Sequence, residues 1–346
     1  MEPRAPRRHP AAFPLDDQRV YDAYIAGRQS ASVAAGVRAG LFDLLDGAGP
    51  LPASDIGARM GWSERGARSL LVALLAQGLL QRDGDERFGL TPEAAAYLVR
   101  GRPGSLAGLI DLEVDGFLSP RALLDALAAD RATVYGGEDP WEAHERDPER
   151  ARAFTAAMHA ISERPAAGVA EVADLAGVAR LLDVGGGSGA LSIALAKRHP
   201  ALRCTIFDLP VVCPIALDYA ARAGVAAQVD AAAGDMFGDA WPLGYDAVLL
   251  SQILHDWDFS KGRALLERAH AALPPGGRVL LHEKLVDDDE RGPLANALVH
   301  LDMLVWTEGQ QYTLRELRAL LEATGFVDVE CAPTAGYWSL VTARRA

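Results

Sequence analysis

Apolar residues recur at helical spacing from Val20 to Leu45, and the run breaks at the Gly49-Pro50 turn. Ser54 then predicts the cap of a short helix over Asp55–Met60, and Ser63 opens another that buries Leu70, Leu71, Leu74 and Leu75. Leu79-Leu80-Gln81-Arg82, an Asp83-Gly84 turn and Arg87-Phe88-Gly89-Leu90 predict a small hairpin, so helix, turn, helix and hairpin make a winged-helix pattern. Gly101 to Gly104 is rich in Gly and Pro and reads as a hinge-like loop. Beyond it, Leu106–Leu127 and Pro148–Ile161 read as helices separated by the polar, Gly-rich stretch Tyr135–Pro140. Phe154, Met158 and Ile161 share one face of the second helix; they suit a pocket wall or ordinary core, and spacing does not choose.

From Arg180 onward short apolar runs alternate with helical patterns, which implies parallel βαβ units and an α/β fold. The predicted strands are Arg180–Val184, Arg203–Asp208, Val229–Ala233, Tyr245–Leu250, Arg278–Lys284 and a final pair, Val327–Ala332 and Tyr337–Ala343. Ligands in such sheets gather at the carboxyl ends of the strands. Those ends are polar here: Asp183, Asp208, Gly234-Asp235-Met236-Phe237, and Ser251-Gln252 followed by His255-Asp256-Trp257. The expected organisation is an unstructured tail over 1–15, a winged-helix domain over 16–104, a helical linker over 105–165 and a ligand-binding α/β domain over 166–346.

Composition narrows the function classes. A chain of 346 residues, half of them hydrophobic, suffices for about two domains with a core in each. Its net charge of −13 argues against a nucleic-acid groove, which needs clustered Lys and Arg. The winged helix offers only Arg65 and Arg68 among alanines, so packing and dimerisation are the expected use of that unit. Cys204, Cys213 and Cys331 show no metal spacing; no metal is expected, and a reducing cytoplasm suits them. The arginine-containing start, Met1–His9, leads into no apolar signal core, and no run of about 18 apolar residues follows, so neither secretion nor membrane insertion is expected.

The candidate chemistry centres on Leu181-Leu182-Asp183-Val184-Gly185-Gly186-Gly187-Ser188-Gly189-Ala190. Strand, glycine loop and helix in that order let bare backbone approach a cofactor at a helix N-terminus. Gly185-x-Gly187-x-x-Ala190 with Asp208 downstream also fits a dinucleotide fingerprint. At its strand end Asp208, followed by Leu209, suits two ribose hydroxyls, with an N-cap role as the alternative. Asp235 and Met236 suit an adenine, the carboxylate near its amine and the thioether against its face, with Phe237, Ser251 and Gln252 alongside. A dinucleotide needs no such second acid. Three acids and no Arg or Lys in the loop favour a cationic cofactor without a pyrophosphate, which describes S-adenosylmethionine (SAM).

With these motifs the chain resembles the SAM-dependent small-molecule O-methyltransferases, among them plant caffeic acid, bacterial polyketide and acetylserotonin enzymes. The resemblance spans about residues 15 to 346. It is carried by Leu182–Gly189, Phe207-Asp208-Leu209-Pro210, Gly234–Phe237, Leu254-His255-Asp256-Trp257, Pro275-Gly276-Gly277, and Arg291-Gly292-Pro293 leading to Met303-Leu304-Val305. It implies a winged-helix dimerisation domain, a helical linker contributing to the substrate pocket, a Rossmann-like sheet ending in an antiparallel strand, and His255 as general base with Asp256 beside it. It also implies that Glu283 flanks His255. Gln311 stands where a second flanking acid belongs; its neutral amide removes a charge that could orient His255 or raise its basicity. Glu308, three residues earlier, is the nearest alternative acid.

The chemistry supports a base on its own terms. A phenol with a pKa of about 10 is mostly protonated at neutral pH, whereas a histidine of about 6.5 can take its proton as the new bond to carbon forms. Expelling water helps methyl transfer from sulfonium to phenolate by removing the hydration of both charges. Phe154, Met158, Met303 and Trp306 are the expected apolar walls around a small aromatic acceptor, with His300 and Gln311 as polar members of the pocket. The leucine and alanine faces of the first hundred residues imply a homodimer. Carbon methylation on a metal held by His255 and His300, or a drifted decarboxylase or hydroxylase that retains SAM, are the alternatives.

Overall fold

The computed structural model describes residues 15–113, 119–134, 136 and 138–346, in two units that meet at Arg102/Pro103. The expectations for the tail before Leu15, for 114–118 within the helix expected over Leu106–Leu127, and for Tyr135 and Gly137 lie outside the described residues. The first unit opens with α1 (Gln18–Ala39) and α2 (Leu41–Ala48) where one helix was expected. The break is Gly40, whose φ of 76° lets its N–H fold back onto the carbonyls of Gly36 and Val37 and end α1. Next comes α3 (Ala53–Met60), which starts after Pro52; Ser54 is inside its first turn, not at the cap, and bonds to the Asp55 carboxylate instead.

In α4 (Glu64–Ala76) the Ser63 hydroxyl accepts the N–H of Gly66, as a cap should. Leu71 and Leu74 are fully buried there, while Leu70 and Leu75 sit half-buried at the edge of the stripe. β1 (Leu80–Arg82) and β2 (Phe88–Leu90) form an antiparallel hairpin whose turn is organised by Asp83 accepting from the N–H groups of Asp85 and Arg87. Thr91 caps α5 (Pro92–Tyr97). Val37, Leu41, Phe42, Ile56, Leu71 and Leu74 make the core, and Val20, Tyr21, Tyr24 and Val72 are exposed.

The second unit begins with α6 (Ala107–Glu113) and α7 (Pro120–Ala129) in place of the single helix expected over Leu106–Leu127. Ser119 caps α7 through the N–H of Ala122, with Pro120 at its first position, so a new helix starts there. Two acid-proline pairs act alike: Asp139-Pro140 opens α8 (Pro140–Arg146), and Asp147-Pro148 opens α9 (Pro148–Val172). α9 runs well past Ile161 and through Pro165. Proline inside a helix costs a hydrogen bond, but here Ala166, Val169 and Ala170 beyond it are buried against α10 (Ala190–Arg198), and that packing carries the helix on.

The remaining elements are β3 (Arg180–Val184), β4 (Arg203–Asp208), α11 (Cys213–Arg222), β5 (Val229–Ala233), β6 (Ala247–Ser251), α12 (Phe259–Ala272), β7 (Arg278–Glu283), α13 (Leu294–Trp306), α14 (Leu314–Ala323), β8 (Phe326–Pro333) and β9 (Ser339–Arg345). They build one seven-stranded sheet in the order β5-β4-β3-β6-β7-β9-β8, parallel through β7, with β9 antiparallel to both its neighbours. Every predicted strand is present, three with the expected bounds and the others with ends shifted by one or two residues. Alternation assigns the two faces: Leu182, Val184, Val248, Leu250 and Leu281 pack on one, Leu181, Ile206, Leu249 and Leu280 on the other. The chain moves outward from β3 to β5 and then returns to lay β6 on the other side of β3. That reversal opens a crevice at the carboxyl ends of β3 and β6. Among the described residues no helix is long and apolar enough to cross a membrane.

Candidate active site

A cavity of about 380 Å³ fills the crevice. Its floor is the glycine loop between β3 and α10, where Gly185, Gly187 and Gly189 have φ of 65°, 56° and 73°, a region that side chains disfavour. A Cβ on Gly185 would also stand 2.4 Å from Ile253 Cδ1. Three of the loop's amides are committed within the protein: Gly185 N–H to the Phe207 carbonyl, Gly189 N–H to that of Gly186, and Gly187 N–H to Asp208 Oδ2 at 2.8 Å. A phosphate cradle requires such amides to point at the ligand, and these three do not serve a pyrophosphate.

Three carboxylates surround the loop. Asp183 is buried and accepts from Ser192 Oγ at 2.6 Å; burial pushes its pKa up to about 7. Asp208 uses one oxygen for Gly187 and the other for Leu209 N–H at 2.7 Å, and burial raises it to about 6. Its N-cap alternative does not hold, because α11 is capped at Val212. Asp235 shapes its own turn by accepting from the N–H groups of Phe237 and Gly238, both at 2.9 Å. Asp183, Gly185, Gly187, Asp208, Leu209, Asp235, Met236, Phe237, Ser251 and Gln252 all line the cavity, and the loop holds no Arg or Lys. Acids without a phosphate cradle fit a cofactor with cationic centres, such as SAM.

Ser251 is held by His282, whose Nδ1 lies 3.0 Å from the serine oxygen. The imidazole stacks on Trp338 and bonds to Thr334, and burial drops its pKa to about 4, so it stays neutral. Gln252, with φ of 56°, donates through Nε2 to Ser162 of α9.

His255 lies on a single 3₁₀ turn, Leu254–Asp256, just past β6. Glu283, at the end of β7, anchors that turn: Oε1 accepts from the N–H groups of Ile253 and Leu254, and Oε2 stands 3.1 Å from His255 Nδ1. The Gln311 amide nitrogen is 3.0 Å from the same Nδ1. Two N–H groups facing each other repel. With the amide turned over, Oε1, otherwise buried without a partner, accepts from the imidazole and the N–H groups no longer face each other. Asp256 Oδ1 lies 3.6 Å from Nε2. Burial pulls the imidazole pKa down, but the Glu283 and Asp256 carboxylates outweigh it and set the pKa at about 9; burial raises Asp256 to about 6.

The outer walls are aromatic and apolar. Phe154, Met158 and Ile161 of α9 line the cavity with Met303 and Trp306 of α13. Two polar residues expected in this pocket lie elsewhere. Gln311 is buried behind the imidazole, because the segment after α13 returns to pair with Val286 next to β7. His300 is exposed, with Nδ1 3.2 Å from the Gln311 carbonyl, and does not line the cavity. Glu308 pairs with Lys261 at the surface and does not replace the acid missing at Gln311. No cluster of three or more His, Cys, Asp or Glu suited to a metal occurs among the described residues.

The structure adds residues that sequence patterns left out. Trp141 and His144 line the cavity from α8, with the His144 ring 4.7 Å from that of Phe154 and Trp141 6.2 Å from Trp257. The repeated Asp-Pro pairs were the available signal for α8. Lys284 and Asp302 also line the cavity; burial raises Asp302 to about 6 against the pull of Lys284. Gly309 presses on the His255 turn so closely that a Cβ would stand 2.1 Å from the His255 carbonyl oxygen. Gly309→Ala is therefore expected to destabilise the protein by about 1–3 kcal/mol, read as a lowered urea midpoint at unchanged slope.

The chain is similar to known O-methyltransferases in both sequence and fold. Residues 121–327 match the O-methyltransferase domain family, and residues 24–100 match the O-methyltransferase dimerisation domain. The 3-hydroxy-5-methyl-1-naphthoate 3-O-methyltransferase of Streptomyces sahachiroi is 41% identical over 86% of this chain and 86% of its own. The tetracenomycin polyketide synthesis 8-O-methyl transferase TcmO of Streptomyces glaucescens is 35% identical over 91% and 93%. Human N-acetylserotonin methyltransferase in complex with SAM superposes with a TM-score of 0.86 at 29% identity, covering 97% of this chain and 99% of that one.

Proposed function

Because the chain belongs to the SAM-dependent O-methyltransferase family, we propose that it methylates a hydroxyl of a small, flat aromatic acceptor with His255 as the general base. The observation that carries this reading is a buried imidazole at the cavity wall, its Nδ1 held by Glu283 and its Nε2 3.6 Å from Asp256 Oδ1, too far for a hydrogen bond. When bound, SAM supplies an electrophilic methyl group on a sulfonium. Nε2 takes the acceptor's hydroxyl proton as the oxygen becomes nucleophilic, and Glu283, a positioning residue, stabilises the imidazolium through Nδ1–H. Asp183, Asp208 and Asp235 would hold the cofactor's hydroxyls and cationic groups. The rings of Trp141, Phe154 and Trp257 exclude water and favour a planar acceptor.

The names of the relatives point to the acceptor class: hydroxylated naphthoates and polyketides. The test is methyl-labelled SAM offered with naphthols, hydroxynaphthoates, hydroxyindoles and catechols. Label released from the product under ether-cleaving conditions supports oxygen transfer; label that resists cleavage means carbon methylation and overturns it.

A homodimer built through the first unit follows from the dimerisation-domain match and from the apolar surface of Val20, Tyr21, Tyr24 and Val72. Light scattering at micromolar concentration should give twice the chain mass, and a single-chain mass would contradict it. Since Cys204, Cys213 and Cys331 are all unpaired, the reducing cytoplasm is the compartment this reading assigns.

A further inference from the structure

His159 takes no part in the reaction as described, yet it joins three elements at the cofactor end of the cavity. It follows Met158 on α9, and its Nδ1 lies 2.7 Å from the Ser188 oxygen in the glycine loop. Ser188 is buried and lines the cavity. The imidazole is clamped: it stacks on Tyr219 of α11 with centroids 3.9 Å apart, and Tyr219 carries the Arg222 guanidinium at 4.5 Å. Glu163, one turn along α9, stands 3.8 Å from Nε2 and itself accepts the N–H of Gly104. Ser162 on the same helix is tied to Gln252, so polar contacts hold α9 to both the loop after β3 and the loop after β6.

The protonation of His159 decides what Ser188 shows the cavity. A neutral imidazole with its hydrogen on Nε2, toward Glu163, leaves Nδ1 as an acceptor. Ser188 then donates to Nδ1 and turns its lone pairs inward. A protonated imidazole donates from Nδ1, and the Ser188 hydroxyl turns its hydrogen inward instead. Burial lowers the His159 pKa, Glu163 raises it, and Arg222 and Lys197 lower it again, with the net below the ordinary 6.5. At neutral pH the loop therefore presents an acceptor.

We propose that His159 is a positioning residue for cofactor capture, fixing the Ser188 hydroxyl as an acceptor toward the cationic part of SAM and coupling the loop to the α9 wall. This rests on the placement of SAM at the glycine loop.

The experiment is calorimetric binding of SAM and S-adenosylhomocysteine to the full chain between pH 8 and pH 5, for wild type, His159→Phe and His159→Asn. Phenylalanine keeps the stack on Tyr219 and loses the hydrogen bond; asparagine offers Oδ1 near the position of Nδ1 and does not titrate. His159→Phe should weaken SAM binding about 5-fold, the value of one neutral hydrogen bond, with turnover at saturating SAM within about 2-fold. His159→Asn should bind as wild type at pH 8 and lose less affinity toward pH 5. Asp183 and Asp208 titrate in both proteins, so the difference between the two profiles isolates His159. Wild-type affinity in His159→Phe, or identical acid limbs in wild type and His159→Asn, overturns the role of His159 alone. Failure of the wild type to bind SAM at all overturns the cofactor reading beneath it. Should His159→Phe unfold, the asparagine profile decides by itself.

Discussion

His255→Ala is expected to lower turnover by about 10²- to 10⁴-fold, the usual contribution of a general base, with SAM affinity nearly unchanged. The imidazole is held by Glu283 through Nδ1, whereas the expected cofactor contacts are the glycine loop, Asp208 and Asp235, whose hydrogen bonds do not involve it, so binding and proton transfer should separate. Calorimetry and single-turnover kinetics measure the two, and near-full turnover in the variant would leave alignment alone as the source of rate. The pH profile carries a second readout. With its pKa raised to about 9, His255 is protonated at neutral pH in the free protein, so kcat/KM should climb as pH rises toward 9 and level off above.

This charge balance also revises the meaning of Gln311. A missing acid at that position suggests that restoring it would raise activity on simple phenols. The imidazole, however, already has Glu283 at Nδ1 and Asp256 at Nε2. A third carboxylate would raise its pKa further. Gln311→Glu should therefore displace the limb of the profile to higher pH and lower kcat/KM at pH 7, while turnover above the limb stays or rises. An unshifted limb would show that residue 311 does not sense the imidazole. Glu283→Gln should do the opposite, moving the limb downward, and should also loosen the His255 turn that its carboxylate anchors through Ile253 and Leu254.

Asp208→Ala is expected to weaken SAM binding by roughly 10- to 100-fold, a loss of about 1.5–3 kcal/mol for hydrogen bonds to a charged group. The side chain does two jobs. It faces the cavity, and it accepts from Gly187 and Leu209, so its removal unpairs two amides and loosens the loop. Since burial raises its pKa to about 6, wild-type affinity should be full above that value and fall as pH drops through it, as the carboxylate protonates. The alanine variant should lack that component. Calorimetry across pH 5 to 8 checks both statements, and an Asp208→Ala protein that binds SAM as wild type would remove Asp208 from the site.

Some of the structure was legible because it is written in local periodicity. Alternating side-chain direction puts Leu181 on one face of β3 and Leu182 and Val184 on the other wherever that strand lies in the sheet. The helices were harder to delimit. Gly40 and the Ser119-Pro120 pair interrupt apolar spacing that itself continues, and α9 crosses Pro165 because packing on α10 outweighs the lost hydrogen bond. In each case a tertiary contact or a backbone angle competes with the pattern and prevails.

The candidate site divides along the same line. The sequence by itself determined the glycine loop, the acids at the strand ends and the position of His255 after β6, since strand direction alone brings those ends to one edge of the sheet. Only the tertiary structure decided where each polar group points. Asp235 turned into its own turn, His300 turned outward, and Gln311 came to rest against an imidazole 56 positions away. It also placed Trp141 and His144 at the cavity and His159 against Ser188, none of which the helical periodicity singled out. The reason is physical: burial periodicity is set by a segment's own neighbours, whereas a side chain's hydrogen-bond partner and its charge depend on groups brought close only when the sheet and its helices close together.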